Sequence, residues 1–419
     1  LAACSGPSSP ARDGTPPEVG GDCAPLAVTP GSGALAWSVT VAEPGGVSND
    51  PVAAGDGFLV GAGRCIGFVE PSGRVRWTIS GLLVDGARFG DTVIIATRGR
   101  PSLVGVRADT GKVVWSRNDR GTWWDVVAVG RAVMAVGTSF DGAVVVLDPS
   151  TGRGIADLPP GVGNGSFHLA IVDEGLLLTA GIGDRQGPVQ PRGPVVLVDG
   201  SGRIVLQASS GLFAPNPVGV VGDVVVVQSS GTTSAGDGEP SSHLVGLDRA
   251  TGAERWRSVV PGLQAGHAVE VAGVVAVRIV DKLMGLDART GAVRWSVAAG
   301  PNDGWPLVAA GPDAVAVGGK DGTVTVVEVA DGRRRWSTQT EGAVAVLGTP
   351  DGEVLLAAND PDFYRAFRIS DGTPLWTERG PAAGAGASRG GKVARLSFAG
   401  DTGATMVGLT GVVALRRSP

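Results

Sequence analysis

The chain has few of the side chains on which enzymes and metal sites most often depend. Its 419 residues include three histidines, three cysteines and one tyrosine. His168, His243 and His267 lack the short spacings of zinc ligands. The sequence therefore predicts no His/Cys metal centre, and scattered histidines of this kind are usually surface or hydrogen-bonded residues.

An excess of positive charge is also absent. Lysine and arginine number 35 against 40 for aspartate and glutamate, which gives a formal net charge of −5. Arg333, Arg334 and Arg335 lie in a predicted strand, so their side chains alternate between its two faces instead of forming a basic stripe. We expect no nucleic-acid partner.

Long hydrophobic runs and helix-length amphipathic patterns are missing too. No stretch is long and apolar enough to span a bilayer as a helix. The chain has instead 69 glycines and many short valine-rich runs separated by turn residues. This pattern predicts an all-β fold with many tight turns.

A glycine followed four residues later by tryptophan recurs along the chain. The complete copies are Gly73 with Trp77, Gly111 with Trp115, Gly252 with Trp256, Gly291 with Trp295, Gly332 with Trp336, and Gly372 with Trp376. An N-terminal copy has Gly33 and Trp37, and two degenerate copies have Gly152 with Ala156 and Gly202 with Leu206. A period of about 40 residues with strand-type composition predicts a β-propeller.

Each repeat contains four short β runs, which predict a four-stranded antiparallel blade with strands A to D from axis to rim. The motif glycine falls in the C–D turn, where a left-handed backbone is needed, and the tryptophan falls on strand D, between neighbouring blades. The motifs from Gly73 to Gly372 favour eight blades. Nine is the alternative, because Trp37 lies on an unpaired strand D and the C-terminal runs supply strands A to C. Terminal strands of this kind close a propeller by removing a free edge.

The repeated A/D-x-x-T-G-x-x-x-W pattern resembles the tryptophan-docking motif of pyrroloquinoline-quinone (PQQ)-type propellers over residues 31–419. The dehydrogenases of that superfamily use a calcium ion, a catalytic aspartate and often two adjacent cysteines. This chain has no adjacent cysteines and few carboxylates that would fall at strand-A or axial positions. Asp85 and Asp125 are the possible axial acids, with turn or solvent roles as the alternative. The resemblance therefore favours the BamB-like lipoproteins, which imply a non-enzymatic scaffold without cofactor or metal.

The segment Leu1–Ala2–Ala3–Cys4 resembles the lipobox of bacterial lipoproteins. This implies a signal-peptide remnant at 1–3, a lipidated Cys4 with a Ser/Pro-rich flexible tether over 4–30, and an extracytoplasmic protein anchored to the cell membrane by lipid. Lipidation leaves Cys23 and Cys65, and an even pair outside the cytoplasm predicts a disulfide that ties the leader to the first blade. Two reduced, buried thiols are the alternative.

The pattern breaks mainly on one side of the predicted disc, where the B–C turns and D-to-A links lie. Long insertions fall at Gly181–Gly193 and Ser229–Ser242, and the aromatic and acidic residues outside the repeat are Trp123, Trp124, Trp305, Asp360, Asp362, Phe363 and Tyr364. Loops on rigid scaffolds often carry function, and Trp and Tyr often anchor interfaces. We expect this side to contact an envelope or membrane protein complex. The alternatives are tryptophans that fill gaps between blades, and a solute- or glycan-binding funnel.

Overall fold

In a computed structural model the described residues form strands and no helix, so no helix among them is long and apolar enough to cross a membrane. The structure describes residues 23, 26–30, 35–40, 51–99, 101–118, 123–130, 132–137, 144–157, 165–172, 175–182, 194–208, 216–229, 241–261, 268–279, 282–299, 307–319, 321–340, 344–348, 353–359, 363–379, 396–399, 402–407 and 411–416.

Two N-terminal strands precede the blades: β1 (Val28–Pro30) and β2 (Leu35–Thr40). Blade 1 follows with β3 (Val52–Ala53), β4 (Phe58–Ala62), β5 (Cys65–Val69) and β6 (Val75–Ser80). Blade 2 has β7 (Leu83–Phe89), β8 (Thr92–Thr97), β9 (Leu103–Arg107) and β10 (Val113–Arg117). Blade 3 has β11 (Trp123–Val129), β12 (Ala132–Gly137), β13 (Val144–Leu147) and β14 (Gly154–Asp157).

Blade 4 has β15 (Gly165–Val172), β16 (Gly175–Ile182), β17 (Val195–Asp199) and β18 (Ile204–Ala208). Blade 5 has β19 (Asn216–Val221), β20 (Val224–Ser229), β21 (Ser241–Asp248) and β22 (Glu254–Pro261). Blade 6 has β23 (Ala268–Val271), β24 (Val274–Ile279), β25 (Lys282–Asp287) and β26 (Val293–Ala298).

Blade 7 has β27 (Val308–Ala309), β28 (Ala314–Gly318), β29 (Thr323–Glu328) and β30 (Arg334–Gln339). Blade 8 has β31 (Val344–Gly348), β32 (Val354–Asn359), β33 (Phe363–Arg368) and β34 (Pro374–Arg379). The last strands are β35 (Leu396–Ala399), β36 (Thr402–Val407) and β37 (Gly411–Arg416). Each blade is a four-stranded antiparallel sheet in chain order, as the repeat predicts.

Burial falls from the inner strands to the outer strand of a blade. All residues of β20, the second strand of blade 5, are buried, whereas in β26, the outer strand of blade 6, Trp295 alone is buried and four of the six residues are exposed. A strand with sheets packed against both of its faces is continuously apolar, while a strand at the rim has one face exposed to solvent. Neighbouring blades accordingly meet mainly through their first strands, as β7 meets β11 and β19 meets β23.

The terminal strands form a sheet of their own instead of adding to a neighbouring blade. Its order is β1-β2-β37-β36-β35, so both ends of the described chain contribute to it. The described residues thus make eight four-stranded sheets and one five-stranded sheet. Strand β35 contacts β3 of blade 1, which brings the two ends of the repeat array together. Residues 28–30, assigned to the tether from sequence, are strand β1, the outermost strand of this sheet.

Candidate functional site

The motif tryptophan of one blade lies over the motif glycine of the next. Atoms of the Trp295 ring come within 2.7 Å of where a Cβ on Gly332 would be, so a larger residue would overlap the ring. Gly332 also has a φ of +75°, a conformation that side-chain-bearing residues rarely adopt. The Trp295 Nε1 donates to the Val329 carbonyl at 2.7 Å. One side chain therefore supplies apolar contact and a hydrogen bond across the blade boundary.

The same docking recurs around the ring. The indole nitrogens that donate to a carbonyl of the next blade are those of Trp37 to Pro71, Trp77 to Ala108, Trp115 to Pro149, Trp295 to Val329, and Trp336 to Ile369. Trp256 packs over Gly291 in the same way, but its Nε1 is buried and has no hydrogen-bond partner among the described residues. In the degenerate blade 4, Leu206 and Ala208 replace the indole against Gly252.

The aspartate of the motif organises the C–D turn. Asp287 Oδ1 accepts hydrogen bonds from the backbone nitrogens of Arg289 and Thr290, both at 2.9 Å, in an Asx-type turn. Its other carboxylate oxygen accepts from Arg294, and these bonds lower the pKa of Asp287 to about 2, with the Arg294 contact as the largest cause. Asp199 has its pKa lowered to about 2, chiefly by the hydroxyl of Ser201.

Arginine–carboxylate pairs cover the face that carries the A–B and C–D turns, which we call the C–D-turn face. Arg76 on β6 pairs with Asp56 at 2.9 Å and with Glu70 at 2.8 Å, and its guanidinium lies 4.8 Å from the Phe68 ring centroid. Arg88 of blade 2 also pairs with Asp56, so this carboxylate joins two blades. Further pairs at these turns are Arg107–Asp109, Arg203–Asp199, Arg255–Asp223, Arg294–Asp287, Arg333–Glu328, Arg335–Asp313 and Arg368–Asp371.

Two of the expected partner-binding aromatics are buried. Trp123 is 3% exposed, and its Nε1 donates to the Ser102 Oγ of blade 2 at 3.2 Å. It opens strand β11 and packs beside Trp115 and Leu103, so it fills the gap between blades 2 and 3. Tyr364 is 6% exposed and lies within β33, not in the B–C turn. Neither residue presents its ring to a partner, which corrects the expectation from sequence.

The other expected anchors cannot be placed in this way. Phe363 and Trp124 occupy described strand positions, in β33 and β11, but their side chains lie outside the described part. Trp305 and Asp360 lie outside the described residues, and so does Cys4. The structure therefore brings together none of the six expected anchors as one surface within its described part.

Asp85, a possible axial acid from the sequence, is 4% exposed and holds two blades together. Its Oδ2 accepts the backbone N–H of Val126 at 2.8 Å, which joins the first strand of blade 2 to the first strand of blade 3. The hydrogen bond from Val126 gives Asp85 a structural role, at a position that the sequence offered as a possible axial acid. Within the described ranges no three His, Cys, Asp or Glu side chains come together as metal ligands. The side chain of Asp125, the other possible axial acid, lies outside the described part.

A polar link that the sequence did not single out joins blades 6 and 7. Arg278 is 1% exposed, and its Nη1 donates to the Gly318 carbonyl at 2.6 Å. Within blade 7, the Thr340 hydroxyl after its last strand donates to the Gly322 carbonyl at 2.8 Å. The available signal was an arginine inside an otherwise apolar strand (VVAVRI), because a charge at a core position needs a partner.

The chain before β1 is attached to blade 1. Cys23 and Cys65 form a disulfide with Cα atoms 5.5 Å apart, as the cysteine count predicts. Leu26 packs against Gly67 so closely that a Cβ on this glycine would overlap its Cδ1. Strand β1 then pairs with β2 of the terminal sheet, and Trp37 on β2 docks on Gly73 of blade 1. The described residues 23 and 26–30, which we call the N-terminal strap, therefore bridge the terminal sheet and blade 1.

Comparison with known families identifies the fold. The sequence profile described as outer membrane protein assembly factor BamB matches residues 26–170, 240–351 and 302–418, which is more than half of the chain. The chain belongs to this family. It is thus a BamB-like, PQQ-type propeller, as the tryptophan-docking motif suggested, and no curated protein sequence matches it.

Solved structures agree with this BamB-like fold. BamB from Moraxella catarrhalis is 14% identical, covers 93% of this chain and 100% of its own length, and has a TM-score of 0.50. The computationally designed Ika8 protein is 14% identical over 80% of this chain and 96% of its own, with a TM-score of 0.56. A eukaryotic initiation factor is 13% identical over 81% and 88%, with a TM-score of 0.58. At these identities the likeness concerns architecture alone.

Proposed function

We propose that this BamB-like propeller is an extracytoplasmic, non-enzymatic scaffold that binds a membrane or envelope protein complex and is anchored by lipid on Cys4. The family match over both halves of the chain is the observation that carries the proposal, because the family is described by a role in outer-membrane protein assembly. The partner of this chain is a protein of the envelope whose identity we do not assign.

The use of the polar side chains supports a scaffold more than an enzyme. The C–D-turn carboxylates are paired with arginines or turn N–H groups, and Asp85 holds two blades together. Their lowered pKa values are those of structural carboxylates, not of an acid or base poised near neutral pH. The Cys23–Cys65 disulfide is of the kind that persists in oxidising compartments outside the cytoplasm.

The opposite side of the disc, the B–C-turn face, is where we expect the partner. The ends of the two insertions expected at 181–193 and 229–242 belong to strands β16, β20 and β21. Residues 183–193 and 230–240 remain between strands of blades 4 and 5 that pair without a break of register. Long loops on a rigid scaffold are the usual positions for binding determinants, and they tolerate shortening without loss of the scaffold.

The test is crosslinking in the native membrane with three variants of the full chain. One variant shortens 183–193 to a Gly-Ser turn, one shortens 230–240, and a matched control replaces Arg153 and Arg334 on the C–D-turn face with serine. We expect a specific envelope protein to be recovered with the native chain and the control, and reduced at least tenfold with one of the shortened variants. Equal recovery from all three would exclude the insertions as the binding site, and recovery of no partner by any chain would overturn the scaffold.

Anchoring has a separate test. Replacing Cys4 with alanine should move the protein from the membrane fraction to the soluble extracytoplasmic fraction, whereas Cys23→Ser should leave it with the membrane. A Cys4→Ala protein that stays membrane-bound would contradict a lipid anchor at this residue. Thermal-shift screening against sugars and quinones tests the solute-binding alternative, in which a ligand raises the melting temperature.

A further inference from the structure

The disulfide fixes the point from which the chain before residue 23 leaves the propeller. Cys65 is the first residue of β5 and follows the B–C turn of blade 1, and it pairs with Ser80 at the end of β6. Cys23 is bonded to it, so residue 23 also lies at the B–C-turn face. Residues 5–22 connect this point to Cys4, and the tether expected there from the sequence would, as a random coil, have a root-mean-square reach of about 20–25 Å. If lipid on Cys4 anchors the protein, the membrane surface would therefore lie near this face.

Two exposed arginines flank the same point. Arg64 immediately precedes Cys65 in the B–C turn of blade 1, and its carbonyl accepts the N–H of Gly81 at 2.7 Å. Arg98 lies in the B–C turn of blade 2, and its N–H donates to the Leu82 carbonyl at 2.9 Å. The link of residues 81–82 between the two blades thus holds both turns side by side.

The charge of these arginines is available to solvent. Both side chains are exposed, and neither forms an ion pair with any residue in the described part of the chain. Many arginines of the C–D-turn face, such as Arg76 and Arg335, pair with carboxylates of the same blade. Arg153 and Arg334 on that face are also exposed without a described ion pair, but they lie in blades 3 and 7, away from the point where the chain before residue 23 leaves the propeller. Asp85, on the strand that follows the link, is buried and accepts a backbone hydrogen bond, so it does not compete at the surface.

We propose that the surface around Arg64 and Arg98 contacts anionic phospholipid headgroups, so that the B–C-turn face of blades 1 and 2 is turned toward the membrane. The proposal rests on the lipid anchor of the proposed function, which brings this surface within reach of the bilayer. One arginine near an anionic membrane improves binding about fivefold, so the two give about 25-fold, which is too little to hold a free protein. On a tethered protein it is enough to select one orientation, because the tether already supplies a high local concentration of lipid.

The test supplies the anchor chemically, so it does not depend on whether the cell lipidates Cys4. Cys23 and Cys65 are joined, which leaves Cys4 as the one free thiol among three cysteines. Coupling Cys4 to a maleimide lipid attaches the intact chain to vesicles of phosphatidylcholine alone or with phosphatidylglycerol. Phenylglyoxal then labels accessible arginines, and mass spectrometry gives the rate at each position. Arg153 and Arg334, exposed on the C–D-turn face and without a described ion pair, serve as internal controls.

We expect labelling of Arg64 and Arg98 to slow at least fivefold on the anionic vesicles, to recover in high salt, and to change little on phosphatidylcholine. Labelling of Arg153 and Arg334 should stay constant throughout. In the Arg64→Ser/Arg98→Ser variant, exchange of backbone amides in 62–66 and 97–102 should no longer be slowed by anionic lipid, whereas Arg153→Ser/Arg334→Ser should behave as the native chain. Equal rates at all four arginines, or protection of the control pair, would overturn the proposal. A soluble Cys4→Ala protein in cells would test the anchor independently.

Discussion

The two faces of the disc use the same residue types in opposite ways. On the C–D-turn face, carboxylates, arginines and indoles are paired with one another and with the next blade, as Arg76 is with Asp56 and Trp295 with Val329. On the B–C-turn face, the described polar link between blades 6 and 7 is buried, as Arg278 is, and Arg64 and Arg98 beside the disulfide are exposed without an ion-pair partner in the described ranges. The C–D-turn face has such arginines too, at Arg153 and Arg334, but many of its arginines are paired. The indoles and ion pairs of the C–D-turn face therefore join neighbouring blades, and the B–C-turn face is where we propose that a partner binds.

Loss of a docked indole tests the structural role of the C–D-turn face with the largest expected effect. Trp295→Ala should lower the free energy of unfolding by about 3–5 kcal/mol, because it removes buried area and leaves a cavity between blades 6 and 7. Denaturant unfolding followed by circular dichroism measures this loss. Val293→Ala on the same strand, where the side chain is 57% exposed, should change stability by less than about 0.5 kcal/mol. Equal losses would contradict the docking role.

The disulfide tests whether the B–C-turn face also contributes to stability. Cys23→Ser together with Cys65→Ser should lower the free energy of unfolding by about 4 kcal/mol, because the bridge closes a loop with a sequence separation of 42. Reduction of the native chain with dithiothreitol should give the same shift of the denaturation midpoint, and Cys4→Ser should give none. A double variant as stable as the native chain would mean that the strap holds by β1 and Leu26 alone.

Two glycines separate the cost of a left-handed backbone from the cost of crowding the docked ring. Gly332→Ala should cost about 2–4 kcal/mol, since it combines a positive φ with a Cβ pressed on Trp295. Gly90→Ala has a φ of +55° but nothing within 4 Å of the new Cβ, so it should cost only about 1–2 kcal/mol. Similar unfolding midpoints for the two variants would show that the Trp295 ring moves to accommodate the new Cβ at little energetic cost.

The indole hydrogen bond can be isolated by comparing two blades. Trp295→Phe removes the Nε1 donor to Val329, whereas Trp256→Phe removes a donor that has no partner in the described part of the chain. We expect Trp295→Phe to be the more destabilising by about 1 kcal/mol. Paired urea titrations measure the difference, and a larger loss at Trp256 would contradict the hydrogen-bond assignment.

Acid should reduce the stability that the carboxylates of the C–D-turn face contribute. The effect of each residue should be the smallest of these predictions. The pKa values of Asp199 and Asp287 are lowered to about 2, below the ordinary value of 3.8. A lowered pKa in the folded state gives stability that is present above the unfolded pKa and is lost as pH falls through the folded pKa. Stability should thus decline between about pH 4 and pH 2, and Asp287→Asn should flatten that decline. Urea titrations at several pH values test this, and an unchanged slope in the variant would contradict it.

The sequence predicted the C–D-turn face well because its determinants are local. A glycine with positive φ and a tryptophan four residues later suffice to place a C–D turn and strand D, and both occur where the structure has them, as at Gly332 and Trp336. The sequence favoured eight blades and left a ninth, made of the terminal strands A to D, as the alternative; in the structure the terminal strands form a separate five-stranded sheet. Strand β1 was missed because three residues, VTP, carry no periodicity, and their pairing depends on β2 being an open edge.

The candidate site was predicted less well because it depends on contacts between blades. Trp123 was expected at the surface because it lies outside the repeat. In the structure the pairing of β11 with β12 shifts register between Trp123 and Asp125, and the Trp123 ring is buried, with its Nε1 donating to Ser102. The buried role of Arg278 was not predicted, because the Gly318 carbonyl to which it donates is 40 residues away in the next blade. The proximity of Arg64 and Arg98 likewise depends on the link at 81–82, which no pattern in the sequence marks.

The N-terminal strap has a mechanical consequence. Any tension along residues 5–22 enters the folded domain at Cys23, and the disulfide passes it covalently to Cys65 in the middle of a paired sheet. The force is therefore borne by β5, which is hydrogen-bonded on both sides, before it reaches β1. Without the bridge, the same pull would act on the free end of a three-residue edge strand and peel its hydrogen bonds from β2 one after another. A single covalent bond thus decides whether the closing sheet opens under load or remains shielded from it.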